Sequence, residues 1–168
     1  MSLPLSLPEP LTNDHQCDSF DSGEPLLDDW LRRPARANQA SGASRTHVVS
    51  EGTVVVAYYV LASGAIALGA VPGRFRRNMP DPIPVVVLAR LAVDRKYQGR
   101  GLGRALFRDT ARRVAHAADT IGIRGIVVHA ISEQARKFYI ALGFDPCPAQ
   151  AMTLVVTLRD IRATLEAG

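Results

Sequence analysis

At 168 residues, 47% hydrophobic and 21% charged, the chain has the composition of one soluble domain, large enough to form a core without staples. No low-complexity tract or internal repeat stands out, and the formal charge of +4 rests on arginine, because Lys96 and Lys137 are the only lysines. Cys17 and Cys147 stand alone and His15, His47, His116 and His129 show no paired spacing, so neither a disulfide framework nor a metal site is expected.

From Met1 to Ser22 the sequence is rich in proline and reads as extended chain, with room for an edge strand. Met1 to Leu11 has no basic start and contains three prolines, so it is not a signal peptide and the expected location is the cytoplasm. Ser22-Gly23-Glu24-Pro25 reads as a helix start, with Ser22 as cap and Pro25 in the first turn. Leu26, Leu27, Trp30 and Leu31 follow at helical spacing. Pro34 should kink or end that helix, and a second piece should run to about Ala40.

Strands are expected at about 46–51 and 53–61, with extended chain through about Leu68. Gly52 to Gly73 carries no charge and is long enough to suggest a membrane span. Its β-branched and aromatic content, and the break at Ser63-Gly64, favour two buried strands instead. A loop from Val71 to Pro84 carries Arg74, Arg76, Arg77 and four prolines. Val85 to Val93 is a nearly continuous apolar run, as in a central strand covered on both faces.

Next comes Gln98-Gly99-Arg100-Gly101-Leu102-Gly103-Arg104, a turn with glycine at alternate positions opening an amphipathic helix. Glycines let the backbone bend until successive N–H groups face one hollow, and the helix adds the positive end of its dipole. The expected ligand is a phosphate or pyrophosphate. Leu102, Leu106, Thr110, Val114, Ala118 and Ile121 mark the helix core face, and the Asp109–Arg113 spacing permits a surface pair. Gly125 to Ala130 reads as a strand, and Ser132 caps a helix with core face Ala135, Phe138 and Leu142, stopped by Gly143. Ala151 to Leu158 closes the sheet and Arg159 to Glu166 forms a small helix. Helices alternating with strands predict an α/β (α+β) fold with a mixed sheet flanked by helices.

Two common phosphate loops fail on spacing. No lysine follows the glycines as a P-loop needs, and the third glycine of a dinucleotide fingerprint is absent. Gln98-x-x-Gly101-x-Gly103 after a buried strand resembles instead the signature of the GNAT superfamily of N-acetyltransferases. Leu91-Ala-Val-Asp94 before it and Phe138-Tyr139-Ile-Ala-Leu-Gly143-Phe144 after it stand where that family has its acetyl-binding strand and last active-site helix. The resemblance covers about 46–158 and implies a GNAT fold with acetyl-CoA as cofactor. It places the pyrophosphate on the amides from Gln98 through Gly99, Arg100, Gly101, Leu102 and Gly103 to Arg104, with Arg100 or Arg104 adding charge. The pantetheine arm would lie along Leu91, Ala92 and Val93, the Val93 amide would polarise the thioester oxygen, and Ser132 would meet the arm.

Tyr139 stands one step off a core stripe, where packing alone would explain it. The resemblance makes it the general acid for the departing thiolate. Tyrosine titrates near 10 and a thiol near 8.5, so full transfer is uphill by about 2 kcal/mol, yet a hydrogen bond to developing charge helps at once. No general base stands out. An α-amine, titrating near 7.7–8.0, is about a tenth neutral at pH 7, whereas lysine is almost wholly charged, so an α-amine is the easier acceptor.

Phe20-Asp21-Ser22-Gly23, Leu27-Asp28, Trp30-Leu31, Arg33, Ala35-Arg36 and Asn38 form a narrower match. They resemble the tRNA-acetylating toxin branch of type II toxin–antitoxin systems. That branch implies an aminoacyl-tRNA substrate, blocked translation, a ribbon-helix-helix antitoxin and a homodimer. Ser22 stands where cysteine is frequent, and Pro34 interrupts the helix pattern. Arg32, Arg33, Arg36, Arg74, Arg76 and Arg77 are the candidate tRNA contacts, with Phe75 as a stacking ring in a flexible loop. The alternatives are a GNAT enzyme acting on a small-molecule or protein amine, and a module that holds CoA without catalysis.

Overall fold

The computed structural model describes residues 3–167. Its elements in chain order are β1 (Glu9–Pro10), α1 (Pro25–Arg32), α2 (Pro34–Ser41), β2 (Arg45–Glu51), β3 (Val54–Ile66), α3 (Gly73–Arg76), β4 (Ile83–Val93), α4 (Leu102–Ala117), β5 (Gly125–His129), α5 (Glu133–Ala141), β6 (Asp145–Pro146), β7 (Thr153–Thr157) and α6 (Leu158–Ala167). The strands hydrogen-bond in the order β1-β2-β3-β4-β5-β7-β6. The β4–β5 pair is parallel, whereas β1–β2, β2–β3, β5–β7 and β6–β7 are antiparallel, so the sheet is mixed as predicted.

The chain forms two compact units, and β3, β4 and α4 each contribute to both. The first takes residues up to Ala62 together with Ala89–Asp109. Its core gathers Phe20, Leu27, Leu31, Ala35, Val48, Val55, Tyr58, Val60 and Ala92, with Trp30 packed against it. Leu27, Trp30 and Leu31 of α1 thus join this core, whereas Leu26, expected on the same stripe, is 83% exposed on the outer side of the helix; Pro34 separates α1 from α2 as expected. Ser22 does not cap α1: the cap position is Glu24, without a side-chain hydrogen bond. Ser22 lies two residues before that position: its hydroxyl donates to buried Asp28 at 2.6 Å and accepts from the Glu24 N–H at 3.2 Å, short of the first-turn N–H groups a cap would reach.

The second unit comprises Ser63–Leu88 and the chain from Thr110 onward. Val71, Phe75, Ile83, Val85, Val127, Cys147 and Val155 form its core. Four expectations change from β3 onward. The run after Gly52 makes one thirteen-residue strand rather than two. Ser63-Gly64 does not break it, because a Cβ on Gly64 would come within 2.8 Å of Val87 Cγ2, and glycine is what admits the neighbouring strand there. Phe75 is no stacking ring in a loop, for it is 2% exposed in the core on the short helix α3. On α5 the buried aromatic is Tyr139, while Phe138 is half-buried. Ile121, expected on the α4 core face, lies beyond the helix end and is exposed.

Candidate active site

β4 ends at Val93, where the chain must leave the sheet and reverse into α4. Asp94 makes the exit. Its backbone N–H donates to the Val56 carbonyl, and its carboxylate accepts from the N–H groups of Asp21 and Lys96, both at 3.0 Å. A 3₁₀ turn over Arg95–Tyr97 follows. Gln98 then fixes the turn from below: its Nε2 donates to the carbonyls of Val93 and Ser22, each at 2.9 Å. Sequence reasoning assigned Gln98 by resemblance alone, and its side chain proves to join strand end, turn and N-terminal segment.

Gly99 and Gly101 take left-handed φ values of 79° and 82°. Side chains rarely adopt such angles, which is the physical reason for glycine at both. Gly103 differs, since it lies inside the first turn of α4 and not in the bend. Gly99, Arg100, Gly101 and Arg104 are exposed, and a Cβ on Gly99 or Gly101 would meet no atom within 4 Å. The bend therefore opens outward. The Arg100 guanidinium lies 5.1 Å from the Tyr97 ring centroid. The Gln98 N–H, expected in the cradle, instead closes the 3₁₀ turn by donating to the Arg95 carbonyl at 3.4 Å, so the cradle begins at Gly99. With the sixteen-residue helix α4 behind it, the bend has amides from Gly99 onward, a dipole end and two exposed guanidiniums, the parts of an anion cradle.

The other predicted residues fall into distinct settings. Leu91 and Val93 are half-buried and Ala92 is buried, all on β4. Ser132 caps α5, its Oγ accepting from the Ala135 N–H at 3.1 Å, so its hydroxyl proton is still available to donate. Tyr139 is 7% exposed and its ring meets Phe138 and Phe144 edge-on, with centroids 5.3 and 5.4 Å away. Burial pushes its phenol well above the ordinary tyrosine value, so it stays protonated throughout the physiological range.

Among the candidate tRNA contacts, Arg32 and Arg36 are half-buried and hold the N-terminal segment: Arg32 donates to the Phe20 carbonyl at 2.5 Å and Arg36 to that of His15. Arg33 is exposed. Arg74 pairs with Asp160 at 2.6 Å and reaches Asp145 at 3.7 Å, whereas Arg76 and Arg77 are exposed. Sequence reasoning missed Arg90, which half-buries on β4 with its guanidinium carbon 4.4 Å from the Trp30 ring centroid. The signal was present, because Arg90 is the one charge within Ile83–Val93.

Residues 45–146 match the acetyltransferase (GNAT) domain family. A tRNA-acetylating toxin of Mycobacterium tuberculosis (strain ATCC 25618 / H37Rv) is 49% identical over 160 residues, covering 95% of this chain and 96% of that protein. The solved structure of AtaT complexed with acetyl-methionyl-tRNAfMet superposes with a TM-score of 0.89 at 29% identity, over 96% of this chain and 99% of that one. An AtaT Y144F mutant toxin bound to the C-terminus of the antitoxin AtaR and acetyl-CoA gives 0.83 at 28% identity, over 97% and 99%.

Proposed function

Because the chain belongs to the GNAT acetyltransferase family, we propose that it is a toxin that moves acetyl from acetyl-CoA to the α-amine of an aminoacyl-tRNA and so blocks translation. The observation that carries the acceptor is the 49% identity with a tRNA-acetylating toxin across nearly the full length of both chains. The observation that carries the donor is the bend itself, whose two left-handed glycines leave open space in front of exposed backbone.

Acetyl-CoA, when bound, supplies the acyl carbon as a thioester with a thiolate leaving group. The amides from Gly99 to Arg104 hold its diphosphate, and the guanidiniums of Arg100 and Arg104 add charge. Leu91, Ala92 and Val93 align the pantetheine arm as an added strand, with the Ser132 hydroxyl as a further donor to it. The Val93 N–H donates to the acyl oxygen as negative charge grows there, and so favours the transition state over the ground state.

Tyr139 holds the proton needed at sulfur. Its phenol is a weaker acid than free tyrosine because it is buried, so its part is chiefly a hydrogen bond to developing charge, followed by proton delivery as the thiolate leaves. The acceptor loses its own proton to water before attack, which an α-amine near pH 7.7–8.0 does readily. Exposed Arg33, Arg76 and Arg77 contact tRNA phosphates; Arg32, Arg36 and Arg74 shape the surface through their internal partners.

This assignment brings with it a cytoplasmic location, a homodimer and control by a ribbon-helix-helix antitoxin. The test is incubation with labelled acetyl-CoA and total charged tRNA. Label is expected on aminoacyl α-amines and should be released when the ester bond to tRNA is hydrolysed. Label appearing only on small amines or protein lysines would overturn the acceptor.

A further inference from the structure

Arg90 is held in place but left without an acceptor. Its guanidinium lies against the Trp30 ring, and Trp30 stacks in turn on Tyr58, with centroids 6.2 Å apart and planes 6° from parallel. Tyr58 is itself fixed, its hydroxyl donating to the Leu27 carbonyl at 2.6 Å. No described residue gives the Arg90 guanidinium a hydrogen bond or an ion pair. The acids of α1 are engaged elsewhere: Asp28 accepts from the Ser22 N–H and hydroxyl, and Asp29 pairs with Arg32 at 3.1 Å.

A partly desolvated cation with no counter-charge is costly, and burial indeed lowers its hold on the proton. Stacking keeps the fork flat and oriented while its donors stay unused. That suits a bidentate oxyanion, for which arginine is pre-organised.

The anion can be narrowed by position along β4. In the proposed function, CoA phosphates are held from Gly99 to Arg104 and the uncharged pantetheine arm runs along Leu91–Val93. Arg90 lies three residues before Val93, roughly 10 Å further along the strand, beyond the reach of the phosphate cradle. The remaining component with anionic groups is the acceptor, whose reacting end is an amine but whose nucleotides are joined by phosphodiesters. We infer that Arg90, braced by Trp30 and Tyr58, binds a phosphodiester among the last nucleotides of the acceptor RNA and thereby positions the aminoacyl ester for attack. This inference rests on the aminoacyl-tRNA reading above.

The experiment uses aminoacyl-tRNAs in which each of the three 3′-terminal phosphodiesters is replaced in turn by an uncharged methylphosphonate, acetylated by the parent chain, by Arg90→Gln and by Arg90→Lys. With the parent chain, neutralising one linkage should lower kcat/KM by roughly 10- to 100-fold, the span expected for a charge-assisted pair. Arg90→Gln should show the same loss on unmodified tRNA and no further loss on that one modified substrate, with the KM for acetyl-CoA unchanged. Arg90→Lys should recover part of the activity. The inference is overturned if no linkage matters to the parent chain, or if Arg90→Gln loses activity equally on all substrates while its melting temperature falls, which marks a packing role. A parent chain that acetylates no charged tRNA overturns the acceptor assignment itself, a different outcome from a parent that is active but indifferent to the three linkages.

Discussion

Gly101→Ala separates the shape of the phosphate cradle from the stability of the fold. Gly101 holds a φ of 82°, and a left-handed conformation costs an L-residue roughly 1–2 kcal/mol. Nothing lies within 4 Å of the added Cβ, so no clash adds to that cost. The substituted chain has two choices. It can keep the angle and lose about 1–2 kcal/mol from a total of roughly 5–15, remaining folded. It can instead rotate the peptide, which turns one or two N–H groups away from the diphosphate. Each such charge-assisted bond contributes about 1.5–3 kcal/mol, so the Kd for acetyl-CoA should rise roughly 10- to 100-fold. Calorimetric titration with acetyl-CoA, run beside thermal unfolding, distinguishes the two. A Gly101→Ala chain that matches the parent both in thermal stability and in acetyl-CoA affinity refutes the anion-cradle reasoning.

Tyr139→Phe should keep acetyl-CoA affinity and lower kcat by about 10²–10⁴-fold, the usual range for a positioned acid, as steady-state rates on charged tRNA will report. Phe75→Ala should destabilise the chain by about 3–5 kcal/mol in urea titrations, because the ring is core and not an RNA platform; a stable variant with weakened tRNA binding would reverse that assignment. Without a catalytic base, kcat/KM should climb about tenfold per unit from pH 6 to pH 7.5 and level off once the α-amine is neutral. The buried phenols of Tyr58 and Tyr139 both have raised pKa values, so the folded chain keeps protons that the unfolded chain releases. Their contribution is intact below pH of about 10 and declines as pH rises past it, which urea midpoints at pH about 9 and 11 will show.

The strand, bend and helix of the cofactor site were legible because each is written locally: an apolar run, glycines, then a 3.6-residue period. Ser132 at its cap and Pro34 between two helices were legible for the same reason. What escaped depended on partners distant in sequence. Phe75 looked like a loop aromatic between arginines until β4, β5 and β7 supplied a core around it. Ser22 looked like a cap, but the cap position falls two residues later, on Glu24, and Asp28 folds back to hold Ser22. Tyr139 was placed off the stripe of α5 because Phe138 and Leu142 fit the helical period equally well, and only the fold decides which ring turns inward. Arg90 was hidden inside a run read for its apolar neighbours.

The amide of Gln98 reaches across 76 positions of sequence to Ser22, so the start of α1 hangs from the same hook as the glycine bend. Ordering one end must tighten the other. Occupancy by acetyl-CoA should therefore slow deuterium uptake at the peptide groups around Ser22 to Glu24, and a Gln98→Ala chain should lose that long-distance protection even where ligand still binds.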